Sequence, residues 1–250
     1  MKVSVITGIF NRADTVEDCI KSVSCQSYKN IEHIIIDGGS TDRTMDIICR
    51  YKDRIAKVVS EPDKGIYHAL NKGIRLASGD IIGILHSDDF YTHDRVIEKV
   101  VDVFEKENVD GCYGDLEYVS REKPDKIIRY WKAASFSGGK FKFGWMPPHP
   151  TFFVKKRVYE RYGYFNIDFK IAADYELMLR FLVKHRIPVY YLPEVLIKMR
   201  VGGVSNSNLK NLLIKSCEDY KAWKLNNLNG GLSAVLLKNL VKIPQFIKRI

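Results

Sequence analysis

The chain has 250 residues, 46% of them hydrophobic and 28% charged, an ordinary composition for a folded protein able to bury a sizeable core. Lys and Arg total 40 against 30 Asp and Glu, a net charge of +10; ten of the basic and two of the acidic residues lie after position 197, so a near-neutral body carries a basic tail that suits a polyanionic partner. No run approaches the ~20 apolar residues that span a bilayer, the N-terminus lacks a signal-peptide core, and the five cysteines (19, 25, 49, 112, 217) form no Cys-x-x-Cys pair, which argues against a zinc module or disulfide framework and fits reduced cytosolic thiols.

The first 120 residues alternate strand-like and helix-like patterns. Val3 to Thr7 reads as a strand and Thr15 to Ser24 as a helix with Thr15 at its N-cap. Ile31 to Ile36 is a second strand, ended by Asp37-Gly38-Gly39, and Thr41 to Tyr51 a second helix. Lys57 to Ser60 is a short strand before Pro62 and Gly65; Ile66 to Ala77 is helical and stops at Ser78-Gly79. Ile81 to Leu85 is a continuous apolar run, the pattern of a parallel strand covered on both faces. Asp94 to Asn108 is a helix and Gly111 to Leu116 a strand. This rhythm predicts an α/β fold with a mostly parallel central sheet flanked by helices. Beyond residue 120, Arg121 to Lys126 reads as a charged turn and Ser135 to Pro150 as a long loop of the kind that binds or covers ligands. Helices are expected at Lys156 to Tyr162 and Ala173 to His185, short strands at Val189 to Leu192 and Val195 to Arg200, and a helical remainder broken at Asn226 to Gly231.

Ligands of open parallel sheets bind outside the carboxyl ends of the strands. Four successive strands here end in polar groups: Thr7 to Arg12, Asp37 to Asp42, Glu61 to Gly65 and His86 to Asp89. Asp88 and Asp89 are adjacent carboxylates, costly unless a cation or donor offsets their repulsion. Mg²⁺ or Mn²⁺ would do so, since hard cations bridge carboxylates to substrate phosphates; the same run also reads as an N-cap. Neither Gly-x-x-x-x-Gly-Lys-Ser/Thr nor Gly-x-Gly-x-x-Gly occurs, which argues against a P-loop NTPase and a dinucleotide dehydrogenase. Asp37 and Asp63 suit a base N–H, as uracil offers, or ribose hydroxyls.

Val-Ile-Thr-Gly-Ile-Phe-Asn-Arg (5–12), Ile-Ile-Asp-Gly-Gly-Ser-Thr-Asp (35–42), the segment from Asp63 to Asp80, and Leu-His-Ser-Asp-Asp (85–89) resemble the family 2 inverting glycosyltransferases of GT-A fold, in the branch that builds bacterial O-antigen, capsule or exopolysaccharide. The resemblance implies a nucleotide-diphosphate sugar donor, with UDP suited to the acceptors above, and a saccharide or lipid-linked saccharide acceptor. It implies nucleoside contacts at Asp37 and Asp63 and a divalent cation, Mn²⁺ or Mg²⁺, at Asp88, with Asp89 and His86 as weaker ligands. His86 stands where the family often has the first Asp of Asp-x-Asp. The candidate donor-binding set is Thr7, Phe10, Asn11, Arg12, Asp37, Asp63, Lys64, Gly65, Asn71 and Ser87. The segment 172–180 resembles the family's base-bearing Glu-Asp-x-Asp-Leu-x-x-Arg and puts Asp174 on the base; an N-cap is the alternative there. His149, Trp145 as a sugar platform, and Arg200 in the 200–205 loop are weaker candidates for the diphosphate or acceptor side.

The expected organisation is a donor-binding half over 1–120, an acceptor-binding and catalytic half of the same domain over 121–206, and a basic amphipathic helical tail over 207–250. In the tail, Leu232, Leu236, Leu240, Ile243, Ile247 and Ile250 recur at helical spacing, with Lys238, Lys242 and Arg249 off the stripe and Pro244 interrupting. This pattern suits a peripheral helix on the inner face of the cytoplasmic membrane, and equally a helix packed on its own core or in a homodimer. A sugar-nucleotide pyrophosphorylase would need a Gly-rich loop that the first strand lacks. A nucleic-acid-binding protein is disfavoured because the strand ends are acidic, and the intact Asp37, Asp63, Asp88 and Asp174 set argues against an inactive sugar-nucleotide-binding relic.

Overall fold

A computed structural model describes residues 1–202 and 209–240. In chain order the strands are β1 (Val3–Ile9), β2 (Ile31–Asp37), β3 (Lys57–Ser60), β4 (Ile81–Ile84), β5 (Asp89–Tyr91), β6 (Gly111–Val119), β7 (Ile127–Trp131), β8 (Phe153–Lys155) and β9 (Val189–Arg200). The helices are α1 (Val16–Ser24), α2 (Thr44–Arg50), α3 (Ile66–Leu76), α4 (Val96–Lys106), α5 (Lys156–Tyr162), α6 (Ala173–Met178), α7 (Leu209–Leu225) and α8 (Gly231–Leu240). All nine strands join one sheet in the order β3-β2-β1-β4-β8-β6-β9-β5, with β7 beside β6. β3, β2, β1 and β4 are mutually parallel, and β6 and β9 run the same way; β5, β7 and β8 oppose them.

All of β1 is buried because helices cover both faces of the sheet. Val3 and Val5 pack with Cys19 of α1 and with α4; Ile6, on the other face, packs with Ala69, Leu70 and Ile74 of α3. This side alternation explains why the strand reads as an unbroken apolar run. Gly73 is what lets α3 approach: a Cβ there would run into the Ile6 side chain.

The second half departs from the sequence expectation in instructive ways. β5, β7 and β8, of three to five residues, were not anticipated, since each is too short to show a period. The two strands expected at 189–192 and 195–200 are one, β9. Its pairing jumps from Tyr113↔Tyr191 to Asp115↔Val195, so a bulge absorbs Pro193 and Glu194 without breaking the strand. The helix expected over 173–185 is α-helical only to Met178 and then widens to a π-helical turn over Leu179–Lys184. There Arg180 pairs with Glu176 at 3.0 Å and reaches the carbonyls of Tyr162 and Tyr164. The long loop contains two 3-10 turns, Lys140–Phe143 and His149–Thr151.

In α8 the leucines at 232 and 236 are 67% and 66% exposed, while Ala234 and Lys238 are buried. The helix therefore seats through the side opposite its leucine stripe. Lys238 Nζ pairs with Asp219 at 2.7 Å and lies 3.6 Å from the Tyr175 ring centroid. Gly144, at φ +81, permits the close approach of the α8 backbone. The candidate positions Ser205, Lys242, Ile243, Pro244, Ile247, Arg249 and Ile250, and the side chain of Leu240, lie outside the described residues.

Candidate active site

A cleft of 620 Å³ opens at the carboxyl ends of β1 and β4 and is closed on the far side by α6 and the loop before it. Phe10, Asn11, Arg12, Asp63, Gly65, His86, Ser87, Asp88, His149 and Asp174 all line it. Residues from four sequence-distant motifs thus converge on one opening.

Asp63 hangs below the start of α3. Its Oδ1 receives Lys72 Nζ at 2.9 Å and faces His68 Nδ1 at 2.6 Å, while its buried Oδ2 has no partner. A buried carboxylate oxygen without a donor is costly. Asn11, at φ 51, ties the β1 end to the following loop: its Oδ1 accepts the Thr41 N–H at 2.9 Å and its own N–H donates to Ser40 Oγ at 2.8 Å. Phe10 stands 57% exposed at the rim.

Across the cleft, Asp174 sits in the first turn of α6. It is not the N-cap, which is Ala172; its carboxylate is turned into the cleft. Oδ2 lies 3.1 Å from His149 Nδ1, and His149 Nε2 lies 3.2 Å from His86 Nε2. The Tyr67 hydroxyl donates to the Ile171 carbonyl at 2.6 Å and reaches Asp174 Oδ1 at 3.4 Å. Burial by itself raises the Asp174 carboxyl, but His149, Lys238 and Lys215 outweigh it and hold the group below the usual carboxylate range. Burial presses His149 down to about 4 despite Asp174 beside it, and lowers His86 likewise. Neutral rings fix the proton order by simple counting. His149 Nδ1–H donates to the Asp174 carboxylate, leaving its Nε2 to accept from His86 Nε2–H. The result is a chain from an ionised carboxylate to the strand end that carries Asp88.

Several sequence candidates lie elsewhere. Thr7 is fully buried, its hydroxyl 2.9 Å from His33 Nε2. Asp37 is fully buried and satisfied by Ser60 Oγ at 2.6 Å, Ser40 Oγ at 2.5 Å and the N–H groups of Gly39 and Ser40; it shapes the turn after β2 rather than facing the cleft. Lys64 is exposed outside the lining. Asn71 pins the Phe165 backbone through both its amide atoms, at 2.8 and 2.9 Å. Trp145 donates to the Ala133 carbonyl at 2.6 Å and packs among Tyr113, Phe136 and Phe141, a core role rather than a sugar platform. Asp89 turns into the core at β5 with neither carboxylate oxygen partnered; burial first, and then Asp88, drive its carboxyl well above the usual range. Asp88 lines the cleft while Asp89 is buried, and the repulsion expected between them persists as part of the upward push on the Asp89 carboxyl. Arg200 is neither solvated nor in the cleft: its guanidinium binds the Asp88 carbonyl at 2.9 Å and the Asp18 carboxylate at 2.5 Å, over the Phe90 ring.

Sequence reasoning missed Tyr67, Lys170 and Ile171 in the lining. Tyr67 was within reach, since it falls inside the Asp63 to Asp80 motif; Lys170 and Ile171 precede Asp174 without a signal of their own.

Residues 4–167 match the family described as Glycosyl transferase family 2. The chain belongs to glycosyl transferase family 2. An uncharacterized glycosyltransferase of Mycobacterium tuberculosis is 36% identical over 180 residues, covering 71% of this chain and 68% of that protein. Among solved structures, S. aureus TarS 1–349 in complex with UDP-GlcNAc aligns with a TM-score of 0.69 at 14% identity, over 96% of this chain and 72% of that one. The mannosyltransferase PcManGT of Pyrobaculum calidifontis, in complex with GDP-Man and Mn²⁺, aligns with a TM-score of 0.67 at 18% identity over 98% of this chain and 73% of that one. In a further TarS 1–349 structure the alignment spans 64% of that chain, and in a longer TarS chain 43%. At these identities the structural likeness shows the GT-A fold. The family match ends at residue 167, so Asp174 and the helices α6 and α7 lie beyond the matched span, while His149 and Tyr67 lie within it.

Proposed function

We propose that this family 2 chain transfers a sugar, with inversion, from a nucleotide-diphosphate donor to a saccharide hydroxyl. The observation that carries this reading is the single cleft in which the strand-end residues Asp63, Ser87 and Asp88 face Asp174. Asp63 Oδ2, partnerless in its pocket, accepts from the nucleoside, with Phe10 and Arg12 flanking it. The nucleotide-sugar complexes of TarS and PcManGT support a donor of this class.

Asp88 is the ligand for a divalent cation. Among the described residues no group of three or more His, Cys, Asp or Glu could hold a metal by itself. One cleft carboxylate nevertheless fits Mg²⁺ or Mn²⁺, which commonly take one or two protein carboxylates and complete their shell with substrate phosphates and water. Such an ion, held by Asp88, would neutralise charge on the departing diphosphate. Arg200 holds the Asp88 backbone in place. Asp174 takes the proton of the acceptor hydroxyl, which attacks the anomeric carbon from the face opposite the leaving group. His149 keeps the carboxylate oriented toward the cleft.

The acceptor is read as a lipid-linked saccharide, supported by the exposed leucines of α8 and the basic excess of the tail. No helix among the described residues is long and apolar enough to cross a membrane. The test is calorimetry of UDP-GlcNAc and GDP-mannose binding with Mn²⁺ and with chelator. Binding that strengthens with the ion supports the reading; equal affinity in chelator removes the metal role of Asp88.

A further inference from the structure

The loop that delivers Asp174 to the cleft is held from behind by the C-terminal helices. Glu218 of α7 reaches across and accepts three consecutive backbone N–H groups: Lys170 at 2.7 Å on Oε1, and Ile171 and Ala172 at 2.9 Å each on Oε2. Lys170 and Ile171 line the cleft, and Ala172 is the N-cap of α6 with no side-chain cap of its own. The first N–H groups of a helix have no partner within it, and a carboxylate that supplies one is favoured by charge as well as geometry. Here that carboxylate comes from 46 to 48 residues away.

The hold continues along α6. Trp223 Nε1–H donates to the Tyr175 hydroxyl at 2.8 Å, and Asn226 Nδ2–H donates to Glu176 Oε1 at 3.0 Å. Lys238 of α8 lies over the Tyr175 ring and pairs with Asp219, the neighbour of Glu218. Residues on both sides of Asp174 are therefore anchored to α7. At the front, His149 reaches the carboxylate, and the Tyr67 hydroxyl reaches both the carboxylate and the Ile171 carbonyl.

We propose that Glu218 is a positioning residue for the transfer reaction, fixing the 170–172 backbone so that Asp174 projects into the cleft. The role rests on Asp174 being the base. It makes the C-terminal hairpin part of the catalytic unit rather than an appendage, although Glu218 itself does not line the cleft. Removing the carboxylate leaves three N–H groups short of acceptors and lets the loop relax, and a shift of about 1 Å at a reacting group can cost on the order of 10²-fold in rate.

The test compares wild type, Glu218→Gln and Glu218→Asp in three readouts. These are amide exchange of residues 170–175, calorimetric affinity for UDP and GDP, and steady-state turnover of UDP-GlcNAc and GDP-mannose with Mn²⁺, with melting temperature as a check on folding. In Glu218→Gln, exchange at 170–172 rises at least tenfold, kcat falls at least tenfold, and nucleotide affinity and donor KM stay within twofold. Glu218→Asp, which keeps the charge, recovers part of kcat. Unchanged exchange at 170–172, or raised exchange with unchanged kcat, overturns the proposal, as does equal loss of nucleotide affinity and kcat. A wild type that turns over neither donor counts against the base reading instead, because the exchange arm reads the Glu218 contacts without any substrate.

Discussion

At the residue scale, the site depends on a carboxylate kept ionised inside a recess. Burial opposes that charge, and His149, Lys238 and Lys215 restore it. Because the folded carboxyl is held below the ordinary 3.8, the base form persists across neutral and mildly acidic pH. The corresponding stability is present above the unfolded value and is lost only as pH falls through the folded one. The kcat profile should therefore show no loss attributable to this group between pH 7 and its usual titration range, measured at saturating donor; an acid limb centred near neutrality that disappears in Asp174→Asn would contradict it. His149→Asn, which removes the ring but keeps a polar side chain, should lower kcat by about 10- to 100-fold through misorientation with donor affinity nearly unchanged. That Asp63, Asp88 and Asp174 lie on one cleft was legible in the sequence, because they follow strand ends or open a helix. The demotion of Asp37, Thr7 and Asn71 was not. Their side chains are consumed by partners such as Ser60 and Phe165, and motif spacing says nothing about which lone pairs remain free.

At the element scale, β1 to β4 and α1 to α4 could be read off almost residue by residue because apolar runs and breakers delimit them. β5, β7 and β8 could not, since a strand of three residues exists only through its pairing with distant chain. The same holds for α8, whose leucine stripe left the seated side open, while the packing chose Ala234 and Lys238. The Lys238–Asp219 pair follows from that choice, with side chains 6% and 4% exposed. Breaking a buried pair from one end leaves a charge uncompensated and costs about 3 to 5 kcal/mol. Lys238→Ala should destabilise by that amount in denaturant unfolding. The double change Lys238→Met with Asp219→Leu should recover most of it, since apolar replacement of a buried pair is often neutral. A single variant as stable as wild type would show that α8 does not seat as described.

At the scale of the whole molecule, the charge divides by task. The site half is near neutral with carboxylates at the cleft, and the basic excess lies after position 197, on the part of the chain whose helices expose Leu213, Leu232 and Leu236. Apolar and cationic groups together favour an anionic membrane surface. Wild type should co-sediment with anionic vesicles and release as salt screens the charge. Leu232→Glu/Leu236→Glu, which touches no buried contact, should pellet far less; equal pelleting would remove the membrane reading. The central claim is that Asp174 removes the acceptor proton in sugar transfer from a nucleotide donor. The most direct measurement is turnover of UDP-GlcNAc, GDP-mannose and related nucleotide sugars by wild type and Asp174→Asn, alongside nucleotide binding by both. The account predicts a wild type that releases nucleoside diphosphate from one of these donors and a variant that binds the same nucleotide but turns over at least about 10²-fold more slowly, the lower range for a lost general base. A variant that works at the wild-type rate would contradict it.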